Sequence, residues 1–456
     1  MIRKNLSHRL TAILNGDLPT DFNWNNDPHQ LTPIPKYIPA EPSAKQLSEV
    51  EIVCEGLRDG IHGCKKHPSV SEMLDYIDLA NQIGIREMTV GIYTGQGKID
   101  EKIKELLKLM RRNYPKISPT VLSLASEESI KWAKQCHKIN PSLKTLVFIG
   151  TAPSRMIAEG WDKKTIIERL TTSVSNASKA GLFVVGATEH TTQTPPDFLK
   201  QIIKVQVRNG AKTFCIADTI GISRPNGAYR IVKFVKKTLK EINKPDIPIE
   251  WHGHNDMNLA VQNTLSAISA GARRVHLVPW GIGERAGNTS LESFLIISAQ
   301  ILQNNGIVPP WKLTVLSKLL KTYAKITDNS IPNYGCMGRR AFNTSLGLHA
   351  AAMLKLNYMA QEAKQAGFKK LSEKLETMAR KVYIAEDPVK FGRKVKIRIS
   401  HWSGKHTLKL WAILKRIKKI DPKKIEKVLT RAKNLQRELT DKEIKEIIGK
   451  KINRHK

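Results

Sequence analysis

The chain has 456 residues, 41% of them hydrophobic and 25% charged, which is enough apolar mass to bury a core and too long for one small module. Lys and Arg outnumber Asp and Glu by 75 to 41, a net charge of +34, and no apolar run approaches the ~18 residues of a membrane helix. Wholesale disorder and membrane insertion are excluded, and five cysteines without a CxxC pair read as reduced thiols in a cytoplasm. The basic N-terminus MIRKNLSHRLTAILNG lacks a long apolar stretch and a small-residue cleavage site, which argues against secretion; a transit peptide is the alternative. A field of this sign attracts nucleic acid, anionic membranes or anionic small molecules, but the plain reading is a Lys-rich solvated surface, and no nucleic-acid motif is present.

Residues 1–45 carry six prolines between Pro19 and Pro42, which predicts an extended arm lying on the surface. From residue 46 short β-branched runs alternate with amphipathic stretches. The runs are EIVC (51–54), EMTVGI (87–92), TVLSLA (120–125), TLVFIG (145–150), LFVVGA (182–187), TFCIAD (213–218), IPIEWHGH (247–254) and RRVHLVPW (273–280). Helical patterns such as SVSEMLDYIDLANQIG and TIIERLTTSVSNASKAG lie between them, the second ending in Gly181 as a C-cap. Eight strand signals spaced by helices point to an α/β fold, a (β/α)8 TIM barrel over 46–305. A doubly wound open sheet has the same alternation; the count of eight favours the barrel. Past about residue 305 the strand signals stop, and a mostly helical C-terminal region, 306–456, follows, Lys-rich from 393 onward.

Active sites of such barrels sit at the C-terminal ends of the strands. Four ends here carry polar clusters: Gly56–Gly63, Thr188-Glu189-His190, His252-Gly253-His254-Asn255-Asp256, and Gly281–Asn288. His252 and His254 are two apart on a strand, so both imidazoles project from one face. That spacing lets two imidazoles reach one divalent ion, and a carboxylate such as Asp59 completes a facial set with open positions. The competing reading is a pair of hydrogen-bonded core histidines. Arg58 supplies a fixed cation where a carbonyl becomes an alkoxide, or else forms a surface ion pair worth little.

The segments L-R-D-G (57–60), H-G-H-N-D (252–256) and G-I-G-E-R-A-G-N-T-S-L-E (281–292) resemble the DRE-TIM metallolyase superfamily, the last especially the 2-isopropylmalate and homocitrate synthases. A-F-N-T-S-L-G-L-H (341–349) and Y-I-A-E-D-P…G-R…W-S-G-K (383–405) are similar to the segments that follow the barrel there, so the resemblance covers about residues 48–410. It implies Asp59, His252 and His254 as metal ligands, with Asn288 as a fourth, for a divalent ion such as Zn, Mn or Mg. It implies that Arg58 polarises the substrate carbonyl, that Glu189 is the strand-5 acid and that Thr219 lies near the 2-oxo acid. His349 and Tyr383 match the pair that the C-terminal subdomain contributes to proton transfer near the acyl-CoA. The reaction so implied is condensation of an acyl-CoA, first of all acetyl-CoA, with a 2-oxo acid in amino-acid biosynthesis. The assembly implied is a homodimer whose C-terminal residues reach a partner's barrel.

The sequence also departs from that pattern. His62 stands where the synthases have glutamine, and histidine there resembles the 4-hydroxy-2-oxovalerate aldolases, in which it is the base. Asn258 replaces a glycine, Thr151-Ala152-Pro153-Ser154-Arg155 replaces a T-S with a following histidine, and Leu146 replaces a polar residue near the 2-oxo acid. The metal core is kept while the pocket is altered. Condensation is therefore the first expectation, with cleavage of a 4-hydroxy-2-oxo acid by a pyruvate-type aldolase or lyase as the alternative. A chain ending at 456 leaves no room for the regulatory domain of end-product-inhibited relatives, so that form of inhibition is not expected.

Overall fold

The computed structural model describes residues 21–25, 41–62, 64–417 and 420–449. Most of the expected arm lies outside the described residues. Eight strands form a closed parallel barrel in chain order: β1 (Glu51–Cys54), β2 (Glu87–Ile92), β3 (Ser118–Leu124), β4 (Lys144–Phe148), β5 (Phe183–Ala187), β6 (Ala211–Asp218), β7 (Ile249–Gly253) and β8 (Arg274–Leu277). Closure comes from β1 on β8, with Glu51 opposite Arg274 and Val53 opposite His276. The open doubly wound alternative is thereby ruled out.

Local chemistry sets the helices between the strands. The helix Val70–Ile83 starts at a capping box, Ser69 with Glu72, and stops at Gly84, whose φ of 111° few side chains tolerate. Its faces Met73, Tyr76, Ile77 and Ala80 are buried at helical spacing. The helix Lys163–Lys179 is capped by Asp162 and is followed by Gly181 at φ 84°, the turn its sequence predicts.

The barrel's inward positions are of two kinds. Toward the C-terminal ends of β3 to β6 they are apolar, a cluster of Leu122, Leu146, Val185, Ala187 and Cys215, while Thr120, Lys144 and Thr213 nearer the strand starts face the ions. On β7, β8, β1 and β2 they are charged. Arg274 bonds Glu250 at 2.8 Å and also bonds Glu87 and Glu51, while Lys144 bonds Glu87 from the neighbouring side. His276 lies between Glu55 (2.8 Å) and Glu250 (2.9 Å), and Thr89, Thr120 and Thr213 donate to Glu55, Glu87 and Glu250.

In the described part of the arm, residues 21–25, Trp24 is 2% exposed and packs 5.0 Å from Phe234, while its neighbours keep partial exposure. Asp21 accepts from Ser154 and Gln193, Phe22 donates to the Gln193 carbonyl, and Asn25 bonds Ile222 and Arg224. The segment thus ties together the loops that follow β4, β5 and β6.

The chain divides into two compact units, 1–312 with 318–330, and 313–317 with 331–456. The second unit is largely helical, with helices Gly347–Gln365, Lys369–Lys381, Lys405–Leu414, Pro422–Leu435 and Asp441–Ile448. It also holds two short parallel strands that its sequence does not signal, β9 (Asn343–Thr344) and β10 (Lys396–Ile397). Its core joins Ile399, Leu408 and Trp411 to Val428, Ala432 and Ile444. Residues up to 410 are therefore completed by later helices of the same chain.

Candidate active site

Alternation along β7 puts Glu250, His252 and, just past the strand, His254 on the inward face, while β1 runs out into Glu55 and the turn bearing Arg58 and Asp59. Asp59 Oδ2 lies 3.3 Å from His252 Nε2, 3.6 Å from His254 Nε2 and 3.0 Å from the Arg58 guanidinium, and the two Nε2 atoms are 3.3 Å apart. Ligand atoms that share a cation through bonds of about 2.1 Å are about 3.0–3.4 Å from one another, so two edges of this triangle match a coordination shell and the third, His254 to Asp59 at 3.6 Å, is slightly longer. One imidazole proton satisfies only one of these contacts; a cation satisfies all three. Burial opposes ionisation of Asp59, but Arg58 and the two imidazoles outweigh it and hold the carboxyl well below its usual range. Burial and the neighbouring His252 bring His254 down to about 4, so it is neutral at pH 7, as a metal ligand must be. The residues present fit a divalent ion.

Two deeper groups, Glu55 with His252 and His276, and Cys215 with Glu250 and His276, also cluster closely. They do not suit a metal, because both nitrogens of His276 are engaged at hydrogen-bond distance by carboxylates. Burial disfavours charge on His276, yet Cys215 and those two carboxylates raise it well above the ordinary histidine value. Burial likewise opposes ionisation of Glu55 and Glu250. His276 brings Glu55 down to about 2, and Arg274 with His276 does the same for Glu250. His276 is an imidazolium held in a bridge.

A cavity of about 300 Å³ opens onto the Asp59 cluster and is lined on one side by Arg58, His62, Glu189, Thr219 and Glu284, and on the other by Leu122, Leu146 and Phe148. The position expected to be polar on strand 4 is thus part of an apolar wall. His62 Nδ1 stands 3.8 Å from Asp59 and 3.6 Å from Glu284. Glu189 faces Arg155 at 3.6 Å, and Thr219 accepts from the His190 amide at 2.7 Å. Arg285 pairs with Asp256 at 2.8 Å and donates to the Thr219 carbonyl, pinning the loop after β8 over the ends of β6 and β7. Asn288 presents its amide NH2 to Asp59 at 2.9 Å, so it orients the carboxylate; as a ligand its amide would have to turn. His349 and Tyr383 belong to the second unit, where their rings stack 3.7 Å apart and His349 bonds Thr344 at 3.0 Å.

Four residues of this region were not singled out by sequence: Glu55, Glu250, Arg274 and His276. A signal existed. Parallel barrel strands are normally apolar, yet Glu250-x-His252-x-His254 and Arg274-x-His276 place charge at every second position.

A family model described as HMGL-like matches residues 49–322. The 2-isopropylmalate synthase of Halothermothrix orenii is 28% identical over 330 residues, 71% of this chain and 62% of that protein. The 2-isopropylmalate synthase of Methanocaldococcus jannaschii is 33% identical over 208 residues, 45% of this chain and 39% of that protein. The chain thus spans less than two thirds of either relative. Among solved structures, an HMG-CoA lyase from Acinetobacter baumannii in complex with coenzyme A and 3-methylmalate superposes with a TM-score of 0.51 at 18% identity, over 62% of this chain and 93% of that one. At that identity the likeness shows the shared barrel.

Proposed function

From the chain's membership of the HMGL-like family, to which it belongs, we propose that its barrel mouth makes or breaks a carbon–carbon bond beside the carbonyl of an oxo acid, with cleavage of a 4-hydroxy-2-oxo acid as the leading reading. The observation that carries this is the position of His62, whose ring stands in the cavity beside Asp59, where a base must stand. Asp59, His252 and His254 would hold a divalent ion, which when bound supplies Lewis acidity toward the carboxylate and 2-oxo oxygens. Arg58 sets a fixed positive charge next to the oxygen that gains charge. His62 takes the proton of the 4-hydroxyl; the C3–C4 bond breaks, the C4 oxygen becomes the carbonyl of the released aldehyde or ketone, and the electron pair passes through C3 onto the 2-oxo oxygen as an enolate, which takes the proton back from the His62 imidazolium at C3 to give the shorter 2-oxo acid. Glu189 and Thr219 position the acid, and Leu122, Leu146 and Phe148 keep water from the carbon chain.

Condensation of acetyl-CoA or another acyl-CoA with a 2-oxo acid is the second reading, supported by the synthases among the sequence relatives and by the match of His349 and Tyr383. His62→Gln separates the two. Under cleavage it removes the base and lowers turnover roughly 10²–10⁴-fold. Under condensation it restores the synthase-like residue, and thiol release from acetyl-CoA over a panel of 2-oxo acids stays within about tenfold, ~1.4 kcal/mol of barrier. Retention of full aldol cleavage in His62→Gln with metal bound rejects the base assignment. The proposal extends to a homodimer, which light scattering reporting only monomer overturns.

A further inference from the structure

The mechanism leaves one buried and fully engaged carboxylate of the barrel without a task. Glu55 is 1% exposed, and each of its oxygens has its own neighbours. Oε1 accepts from His276 (2.8 Å) and from Thr89 (3.1 Å), while Oε2 faces the Arg58 guanidinium at 3.4 Å and His252 Nδ1 at 3.9 Å. Behind it His276 is fixed by Glu250, which is fixed in turn by Thr213 (2.6 Å) and Arg274 (2.8 Å). A rod of alternating charge therefore runs from the barrel floor to the two groups that flank Asp59.

We propose that Glu55, clamped by His276, is a positioning residue of the metal site: it directs Arg58 toward Asp59 and so holds the Asp59 carboxylate toward the two imidazoles. This rests on the metal-site reading above. A group bonded to a ligating carboxylate fixes that ligand's direction, and its own direction is set by what holds it from behind. Arg58 is shared between Asp59 (3.0 Å) and Glu55 (3.4 Å), so its guanidinium has a fixed direction even before a substrate arrives. Without Glu55 the guanidinium keeps its place in the chain but loses its orientation, and Asp59 loses a fixed partner.

The test measures Mn2+ binding by equilibrium dialysis on the full-length protein, a readout separate from turnover. Glu55→Gln keeps the size of the side chain and removes its charge; His276→Gln keeps Glu55 and removes the clamp. Both are expected to weaken Mn2+ binding, Glu55→Gln by roughly 10–100-fold and His276→Gln by less. Thr120→Val, a lumen change that reaches Glu87 but not Glu55, should bind Mn2+ like the parent protein. Glu55→Gln that folds and binds Mn2+ with parental affinity overturns the proposal and leaves the metal site standing. A parent protein that binds no Mn2+ overturns both. Nitrogen NMR of the metal-free parent protein needs no variant. It should show the Arg58 Nη signals separate and slowly exchanging, as a guanidinium held on both sides requires, and a single averaged signal overturns the proposal even if Glu55→Gln does not fold.

Discussion

The two halves of the barrel lumen solve different problems. The half built by β7, β8, β1 and β2 is a chain of buried ions, Glu87–Arg274–Glu250–His276–Glu55, that ends at Arg58, Asp59 and His252. Beyond Thr120, Lys144 and Thr213, β3 to β6 present an apolar wall of Leu122, Leu146, Val185 and Ala187. Every ion in the first half has a stereochemical demand on its neighbour, so that half fixes directions. The wall contacts have no such demand, so that half fixes only size and dryness. On the proposed function, the chemistry sits beside the half that fixes directions, and the carbon chain lies against the wall.

The comparison breaks most visibly at its catalytic end. His252→Ala or Asp59→Asn should abolish bound divalent metal and lower turnover at least ~10³-fold, about 4 kcal/mol of barrier, with the circular dichroism spectrum unchanged. Full metal occupancy in a His252/His254 double variant would remove the site from this cluster. Arg274→Met leaves Glu250 and Glu87 buried without their shared cation and should cost about 3–5 kcal/mol in urea unfolding, whereas surface ion pairs such as Lys164–Glu168 should cost under ~1 kcal/mol.

Acid provides a third test. His254 is held at about 4, below its unfolded value, so between about pH 6.5 and pH 4 the unfolded chain binds a proton that the native one does not. Stability of the metal-free protein should be fully present above that window and fall by up to about 3 kcal/mol as pH drops through it. His254→Gln should flatten the slope in urea titrations. The smallest effect belongs to the apolar half. Leu146→Ala should cost about 2 kcal/mol, near the low end for such truncations because one face of Leu146 already borders the cavity. It should leave Mn2+ affinity within twofold and shift KM toward longer-chained acids. A tenfold loss of metal there would erase the distinction between the halves.

The sequence exposes the barrel well, because each strand falls in a short run that alternates with amphipathic helical stretches, and the runs fall within a few residues of the observed strands. Asp59, His252 and His254 are legible through spacing and motif together, and the structure brings them around one point. The ion chain was hidden for a different reason. Glu55, Glu250, Arg274 and His276 come from three strands, and only closure of β8 on β1 makes neighbours of residues 221 positions apart, as in His276 and Glu55. The two-residue strands β9 and β10 carry no period at all, since pairing that short depends on the chain around it. The direction of the Asn288 amide, here donating to Asp59, depends on a rotation that no pattern of residue types encodes.

The segment 21–25 bears on the order in which the molecule is made. Its partners Ser154, Gln193, Ile222, Arg224 and Arg230 lie 133 to 206 positions downstream, so it leaves the ribosome long before its docking loops exist. The loops after β4, β5 and β6 are bound together by a stretch of chain synthesised well before them. The oldest described piece of the polypeptide thus waits for much younger loops, and it acts as a latch on them rather than as a template.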